Sequence, residues 1–533
     1  MPSFKSHRPL RSDGPVLPLK VPDTRMASRS YLTKRCFRLL VVLFVSSWAL
    51  LWLYNRQNEN VSSLSRDRDI TEHSLPPLYE AYHDYERHLP QHNLSLPYPE
   101  GRDAKFFWAS NHVTGSGWGN AMQELLMNAL LAHTANRAYV FDNYTWDRDG
   151  PDYSEYNGKL IPARIPLSAI ISGPIVGSSF NPGGSTPRAV SREYFQKVCP
   201  NATIIDSLSI NEHLRLDPDV SASQIFDKWV EKLNSINDPC VEISRDSFQI
   251  FEIWLFGSKR ILSIWPRLSK SPVLRNFSWS PLVMQAFAQN AALFGAMSSS
   301  FRFLPAYLSP SAAPPTPTEL HNVDPVLTAP KTDPIPGLLV LHIRRGDFAG
   351  HCSHLANWSA DWNGFNKFAA LPDKFRVPTD GDWGSTTEMN MQMYLRRCYP
   401  TVEQIVERVR EVLADQKRIY GNTKELKRVY VMTNGDVAWL QELREALMEV
   451  KKWDAVVSSR DLYLSWEAKP VAQAVDMLVG QRAQVFIGNG ASYSQALLHY
   501  KSLTSNPQFS SLTSNIVMFR MLRELSPEDT RFW

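Results

Sequence analysis

Gly337-Leu338-Leu339-Val340-Leu341-His342-Ile343-Arg344-Arg345-Gly346-Asp347 carries four consecutive apolar residues straight into an imidazole, two guanidiniums and a carboxylate. The apolar run, bounded by Pro336 and Gly337, predicts a buried strand over 338–344. Side chains alternate along a strand, so His342 and Arg344 point to one face and Ile343 and Arg345 to the other. Open α/β folds bind their ligands at the carboxyl ends of strands. A guanidinium there suits a diphosphate, because its planar fork donates two parallel hydrogen bonds. The same residues also fit a surface strand end with ordinary salt bridges.

The alternation continues on both sides of this stretch. Downstream, the pattern predicts a helix around 400–416, a strand 428–433, a helix 437–450, a short strand 454–457, a helix 470–481, a strand 484–487 and a helix 492–501. Strands alternating with helices imply a parallel sheet covered on both faces. Upstream, Lys105-Phe106-Phe107-Trp108-Ala109 reads as a strand. The turn Gly115-Ser116-Gly117-Trp118-Gly119-Asn120 follows, then a helical pattern to Asn136, then a strand Ala138–Phe141 ending on Asp142. Between the two regions, residues 310–336 hold eight prolines, which excludes a continuous helix or a central strand and marks a linker. Residues 103–309 and 337–533 are thus two α/β domains facing a cleft, and no internal repeat links them.

With 533 residues, 43% hydrophobic and 21% charged, the chain is globular in composition. Its net charge of +4 comes from the start: residues 1–38 carry nine Lys/Arg and two Asp, leaving −3 for the rest. The basic balance belongs to a tail and gives no case for nucleic acid as a partner. After the tail, Leu39 to Tyr54 contains no charge. Trp48, Trp52 and Tyr54 sit near one end, as interfacial aromatics do. We read 1–35 as a cytosolic tail, 36–55 as a transmembrane signal anchor and 56–102 as a stem. The remainder would then lie in the lumen of the endoplasmic reticulum or Golgi, as in a type II membrane protein. Six Asn-x-Ser/Thr sequons after the span (Asn60, Asn93, Asn143, Asn201, Asn276, Asn357) permit glycosylation there. Cys199, Cys240, Cys352 and Cys398 allow two disulfides. Their order suggests Cys199–Cys240 and Cys352–Cys398, among three possible connectivities.

Two further stretches offer chemistry. Strand, Gly-rich turn, helix and strand over 105–142 make half of a nucleotide-binding unit, with Asp142 placed as a ribose-binding acid would be. A nicotinamide-dependent enzyme is therefore one candidate. Near the end, Phe486-Ile487-Gly488-Asn489-Gly490 leads into Ser492, Tyr493 and Ser494 at a predicted helix start, which is a phosphate seat or simple N-capping. Asp476 by itself reads as a helix carboxylate facing solvent. Acid pairs of the Asp-x-Asp type recur at Asp67/Asp69, Asp147/Asp149, Asp217/Asp219 and Asp380/Asp382 without a shared context. No cysteine or histidine spacing suggests a metal site.

Taken in order, the turn ending at Asn120, His342-x-Arg344-x-Gly346-Asp347, Val429-Tyr430-Val431-Met432-Thr433-Asn434 and Phe486-to-Ser494 resemble the GDP-fucose protein O-fucosyltransferase family. The resemblance covers about 105–145 and 337–500. It implies two Rossmann-like domains in the GT-B arrangement and metal-independent, inverting transfer of fucose from GDP-fucose, with no other cofactor. By the same resemblance, Arg344 would hold the donor's β-phosphate and glycosidic oxygen. His342 would bind the donor, and Asp347 would close the motif. Asp476 would contact guanine, Ser492, Tyr493 and Ser494 would seat phosphate, and Asn120, in the cleft, would join Arg344 in catalysis by orienting the acceptor or the sugar. An asparagine cannot act as a base. The acceptor is a protein Ser/Thr hydroxyl or a glycan, since α1,6-fucosyl transfer uses a related donor motif. An inactive GDP-sugar-binding or folding-assisting protein is the alternative from another class. Departures from the family form are the Gly117-Trp118-Gly119-Asn120-Ala121 turn and an aromatic-rich insertion over 348–383, which fits a lid or a loop pinned by Cys352–Cys398.

Overall fold

A computed structural model describes residues 74–156, 158–180, 184–215, 220–296, 334–346, 348–378, 384–490 and 511–533. The expected tail, the anchor over 36–55 and the start of the stem lie outside them. Among the described residues, no helix is long and apolar enough to cross a membrane.

The first sheet is built from β1 (Phe106–Ala109), β2 (Ala138–Phe141), β3 (Val190–Ser191), β4 (Thr203–Ile205) and β5 (Cys240–Ile243), in the order β3-β2-β1-β5-β4 with every pairing parallel. Alternation divides its side chains. Phe106, Trp108, Ala138 and Val140 pack with Phe195 on one face. Phe107, Ala109, Tyr139 and Phe141 pack on the other with α1 (Trp118–Thr134). The Cys199–Cys240 disulfide closes this region.

The second sheet holds β6 (Ile335–His342), β7 (Arg428–Met432), β8 (Ala455–Ser458), β9 (Ala483–Gly488) and β10 (Thr530–Phe532), in the order β8-β7-β6-β9-β10, again all parallel. Leu338, Leu339, Val340 and Leu341 are fully buried because helices cover both faces. Leu339, Leu341 and Ile343 meet α2 (Val402–Tyr420) and α3 (Val437–Val450). Leu338 and Val340 share the other core with α4 (Ala472–Gln481) and α5 (Leu512–Leu522). Helix α2 buries Val402, Ile405, Val406, Val409 and Val412, a helical spacing, and opens on a Thr401/Gln404 capping box.

Three expectations change. The strand begins at Ile335, inside the stretch read as linker. Pro336 is accommodated by an irregularity in register between Ile335 and Leu339, with Gly337 at φ +80° and its N–H on the Gln484 side chain. The strand ends at His342, not 344, although the Ile343 N–H still reaches the Met432 carbonyl at 3.0 Å. The stretch read as stem is folded from Tyr79 onward. Tyr79, Tyr82 and Leu89 are buried in the core, and the Tyr79 hydroxyl donates to the Glu467 carbonyl. Few apolar residues anchor that segment, but its tyrosines carry large apolar rings, and that of Tyr79 has a polar end that finds a partner. Of the sequons, Asn143 is buried, so the folded chain offers no access for a glycan there. Residues 74–533 form one compact unit containing both sheets.

Candidate active site

In the second sheet the chain runs outward from β6 through β7 to β8, then returns to β9 and β10 on the opposite side of β6. The order reverses between β6 and β9, and the carboxyl ends of strands at such a switch point are where open α/β sheets bind ligands. His342 ends β6, and Arg344 follows it. Gly488 ends β9, and Asn489 follows it. Topology alone thus brings the first and last quoted motifs together. Asp347, Ser492, Tyr493 and Ser494 lie outside the described residues.

The two arginines part as alternation predicts. Arg345 is buried on the α2/α3 side, its guanidinium between the rings of Tyr399 (4.2 Å) and Trp439 (4.4 Å), and it donates to the Pro400 carbonyl. Its backbone N–H donates to Asn434 Oδ1 at 2.7 Å. Arg345 is therefore part of the fold. Arg344 is half-buried, with its guanidinium carbon 4.9 Å from the centre of the Phe348 ring. Phe348 opens the helix Phe348–Asn357, which the Cys352–Cys398 disulfide ties to the helix Glu388–Cys398. The insertion beside the motif is thus a disulfide-pinned helical element.

His342 is buried, and its Nδ1 lies 2.7 Å from Thr513 Oγ1. The Trp533 indole N–H donates to its carbonyl at 2.9 Å. Burial, reinforced by the nearby Arg344 charge, pushes the imidazole pKa down to about 3, so the ring is neutral at ordinary pH.

Asp476 does not face solvent as its pattern suggests. It is half-buried on α4, accepting from the Tyr430 hydroxyl at 2.6 Å and from Ser459 Oγ at 3.0 Å to each carboxylate oxygen. Burial lifts its pKa to about 6, against the two hydroxyl donors that lower it. Ser459 Oγ in turn accepts the Thr433 N–H at the end of β7.

Asn120 reaches the start of α5 from the first sheet's side. It lies in the first turn of α1, donates to Ser116 Oγ at 2.9 Å and accepts from Ser511 Oγ at 2.5 Å. Around it, α1 and α5 meet at their starts: Gln123 donates to Ser514 Oγ, and Asn515 donates to the Gly119 carbonyl. A Cβ on Gly119 would stand 2.8 Å from the Leu512 nitrogen, so this glycine permits the close approach of two helices rather than of a phosphate. The first turn of α5 therefore links Asn120, through Ser511, to His342, through Thr513. Sequence reasoning missed this hub. Its signal is Ser511-Leu512-Thr513-Ser514-Asn515 before the apolar Ile516-Val517-Met518-Phe519. Such a polar run reads as local capping, yet Ser511 makes no side-chain cap bond because its hydroxyl donates to Asn120.

The other nucleotide-like unit is closed. Asp142 is paired with Arg192 at 3.0 Å. The cavity under the Gly-rich turn, lined by Trp118, Glu124, Asn128 and Tyr139, measures about 30 Å³, where a ligand site needs several hundred (~300 Å³ or more). A nicotinamide dinucleotide has no room there. Of the acid pairs, only Asp147/Asp149 lies among the described residues. Asp147 accepts the Asp149 and Gly150 N–H groups, and Asp149 pairs with Arg245. No cluster of three His, Cys, Asp or Glu suited to a metal occurs among the described residues.

No family model and no curated protein matches this chain. Solved structures do. A crystal structure of POFUT1 in complex with GDP-fucose is similar at 12% identity and a TM-score of 0.42, over 82% of this chain and 99% of that one. A second crystal form of that complex is 14% identical, with a TM-score of 0.41, over 81% and 98%. NodZ alpha-1,6-fucosyltransferase soaked with GDP-fucose is 12% identical, with a TM-score of 0.34, over 78% and 92%.

Proposed function

We propose that the protein is a metal-independent, inverting glycosyltransferase that moves fucose from GDP-fucose to a protein Ser/Thr hydroxyl or a glycan in the secretory lumen. The observation that carries this reading is the face of β6 at the switch point. Arg344 stands there half-exposed beside a neutral imidazole, while Arg345 is buried on the other side. A fixed cation next to an uncharged hydrogen-bonding ring suits a departing diphosphate.

In this mechanism the bond between the sugar's anomeric carbon and the β-phosphate oxygen lengthens first. Arg344 meets the charge that grows on that oxygen, the role a metal ion plays in other transferases. The Ser492, Tyr493 and Ser494 stretch, which follows β9 in sequence, supplies further donors. Asp476 accepts from the guanine N–H edge while Tyr430 and Ser459 fix its carboxylate. The oxocarbenium-like carbon then bonds to the acceptor oxygen as its own bond to the β-phosphate oxygen breaks, and the hydroxyl proton passes to water, in keeping with an asparagine rather than a base at position 120. With both ends of its amide engaged by Ser116 and Ser511, Asn120 acts by holding the start of α5. Residues 36–55 anchor the protein in the membrane.

The test is calorimetric titration with GDP, GDP-fucose, UDP and NADH, without metal, on wild type and Arg344→Ala. Selective guanine-nucleotide binding that weakens in the variant is expected. Well-folded protein that binds no guanine nucleotide would end this reading.

A further inference from the structure

The geometry points to Thr513 as a positioning residue that sets the tautomer of His342, leaving the ring proton on Nε2. Three buried groups form a chain. The Asn489 N–H donates to Thr513 Oγ1 at 3.2 Å, and Oγ1 lies 2.7 Å from His342 Nδ1. Thr513 is wholly inaccessible to solvent, and its neighbours are nearly so. An amide N–H only donates, so Asn489 fills one lone pair of the hydroxyl oxygen. Among the described residues, the hydroxyl proton then has one acceptor in reach, Nδ1. Were Nδ1 protonated instead, two protons would converge on Oγ1 and the hydroxyl proton would be buried without a partner, costing about 1–3 kcal/mol. The chain therefore runs Asn489 N–H to Thr513 O–H to Nδ1, and Nε2 carries the proton.

The surroundings hold this arrangement. Trp533 pins the His342 carbonyl. Gly488 leaves the space: a Cβ there would come 2.5 Å from Thr513 Cγ2. Because the imidazole stays neutral, the tautomer is the ring's one chemical choice, and Thr513 makes it. The result is an uncharged N–H donor on the strand face that carries Arg344, suited to an anionic oxygen such as a diphosphate's. That ligand rests on the function proposed above; the tautomer does not.

The experiment is ¹⁵N NMR of the full chain labelled at histidine, with His342→Gln assigning the signals, followed by GDP titration. Wild type should show a pyridine-type Nδ1 and a pyrrole-type Nε2 at His342. Thr513→Ser should keep that pattern. Thr513→Val should show a mixture and bind GDP roughly tenfold more weakly, the size of one hydrogen bond of about 1.4 kcal/mol. A pyrrole-type Nδ1 in wild type or in Thr513→Ser overturns the proposal even if Thr513→Val fails to fold. The Nε2–H form in a protein that ignores GDP upholds the tautomer and removes only the donor reading.

Discussion

The two sheets share a plan and differ in what their crevices hold. Each has five parallel strands, a reversal of strand order and a helix following its first strand or motif. In the first, Trp118, Glu124 and Asn128 fill the space beneath the turn, and Asp142 is neutralised by Arg192. In the second, Arg344 remains half-exposed, Asp476 keeps an open side, and His342 is held by Thr513. Topology places a switch point in each sheet, and side-chain volume and pairing decide whether it can receive a ligand. The first half acts as a wall, contributing Asn120 and the glycine that lets α1 meet α5.

The largest effect expected from this contrast is on transfer. Arg344→Ala should lower turnover of GDP-fucose roughly 100- to 1000-fold, the scale for losing one preorganised donor to developing charge, whereas Asp142→Asn should change it less than about twofold. Initial rates at saturating donor measure both, and a reversed ranking would break the comparison.

Stability offers the next largest test, because each half contains a buried arginine that gathers carbonyls. Arg520, on α5, donates to Thr530 Oγ1 and to the carbonyls of Ala483 and Asp529. Arg137 donates to the carbonyls of Leu233, Ile236 and Asp238. All partners of Arg520 are buried, while two of those three carbonyls of Arg137 are partly exposed and keep some access to water. Arg520→Met should cost on the order of 3 kcal/mol and Arg137→Met about half that. Urea unfolding should show one transition in both, since the sheets belong to one compact unit; a separate early transition in either variant would show the halves to be independent.

A smaller effect concerns pH in the crevice. A guanine-accepting carboxylate must be ionised, and the pKa of Asp476 is lifted to about 6. GDP affinity should therefore rise between pH 5 and pH 7, and Asp476→Asn should lose that rise along with guanine preference, worth roughly 1.5–3 kcal/mol for a bond to a charged group. A flat affinity profile in wild type would remove Asp476 from the donor site.

Much of the second half was legible because its elements are long and periodic. Helix α3 matches its expected span because Asp436 caps it by accepting the Trp439 N–H and Leu440, Leu443 and Leu447 repeat on one face. The split of Arg344 from Arg345 followed from strand alternation alone. The order-suggested disulfides Cys199–Cys240 and Cys352–Cys398 are both present. What stayed hidden was short or non-local. Strands β3, β4 and β5 have two to four residues, too few to show a period. The α5 hub joins Ser511 and Thr513 to residues far away in the chain, and its composition imitates a helix cap. Likewise, nothing local tells that Asp476 faces two hydroxyls, because Tyr430 and Ser459 come from β7 and the turn after β8.

The contrast between the halves also sets the alkaline limit of stability. Glu124 is buried on α1, its Oε2 accepting the Val113 N–H and its carboxylate facing the Asn128 side-chain amide. Burial raises the Glu124 pKa to about 8, against the Val113 and Asn128 hydrogen bonds that lower it. Glu86, which accepts the Ser168 N–H, is raised to about 8 in the same way. In the unfolded chain both ionise near the ordinary 4.5. Above that pH the folded state binds more protons than the unfolded one, so stability is complete below 4.5 and falls as pH rises toward 8. Histidines act in the opposite sense, but only below 6.5, since burial lowers the folded pKa values of His83, His92, His112, His133, His342 and His351. In the window from pH 6.5 to 8 the two glutamates of the first half thus carry most of the slope, Asp476 adding only the tail of its titration near 6. Wild type should lose thermal stability across it, Glu124→Gln should lose less, and the double variant with Glu86→Gln should be nearly flat. Calorimetric Tm values at the two pH limits decide the matter: an unchanged slope in the double variant would move the alkaline sensitivity away from the closed half.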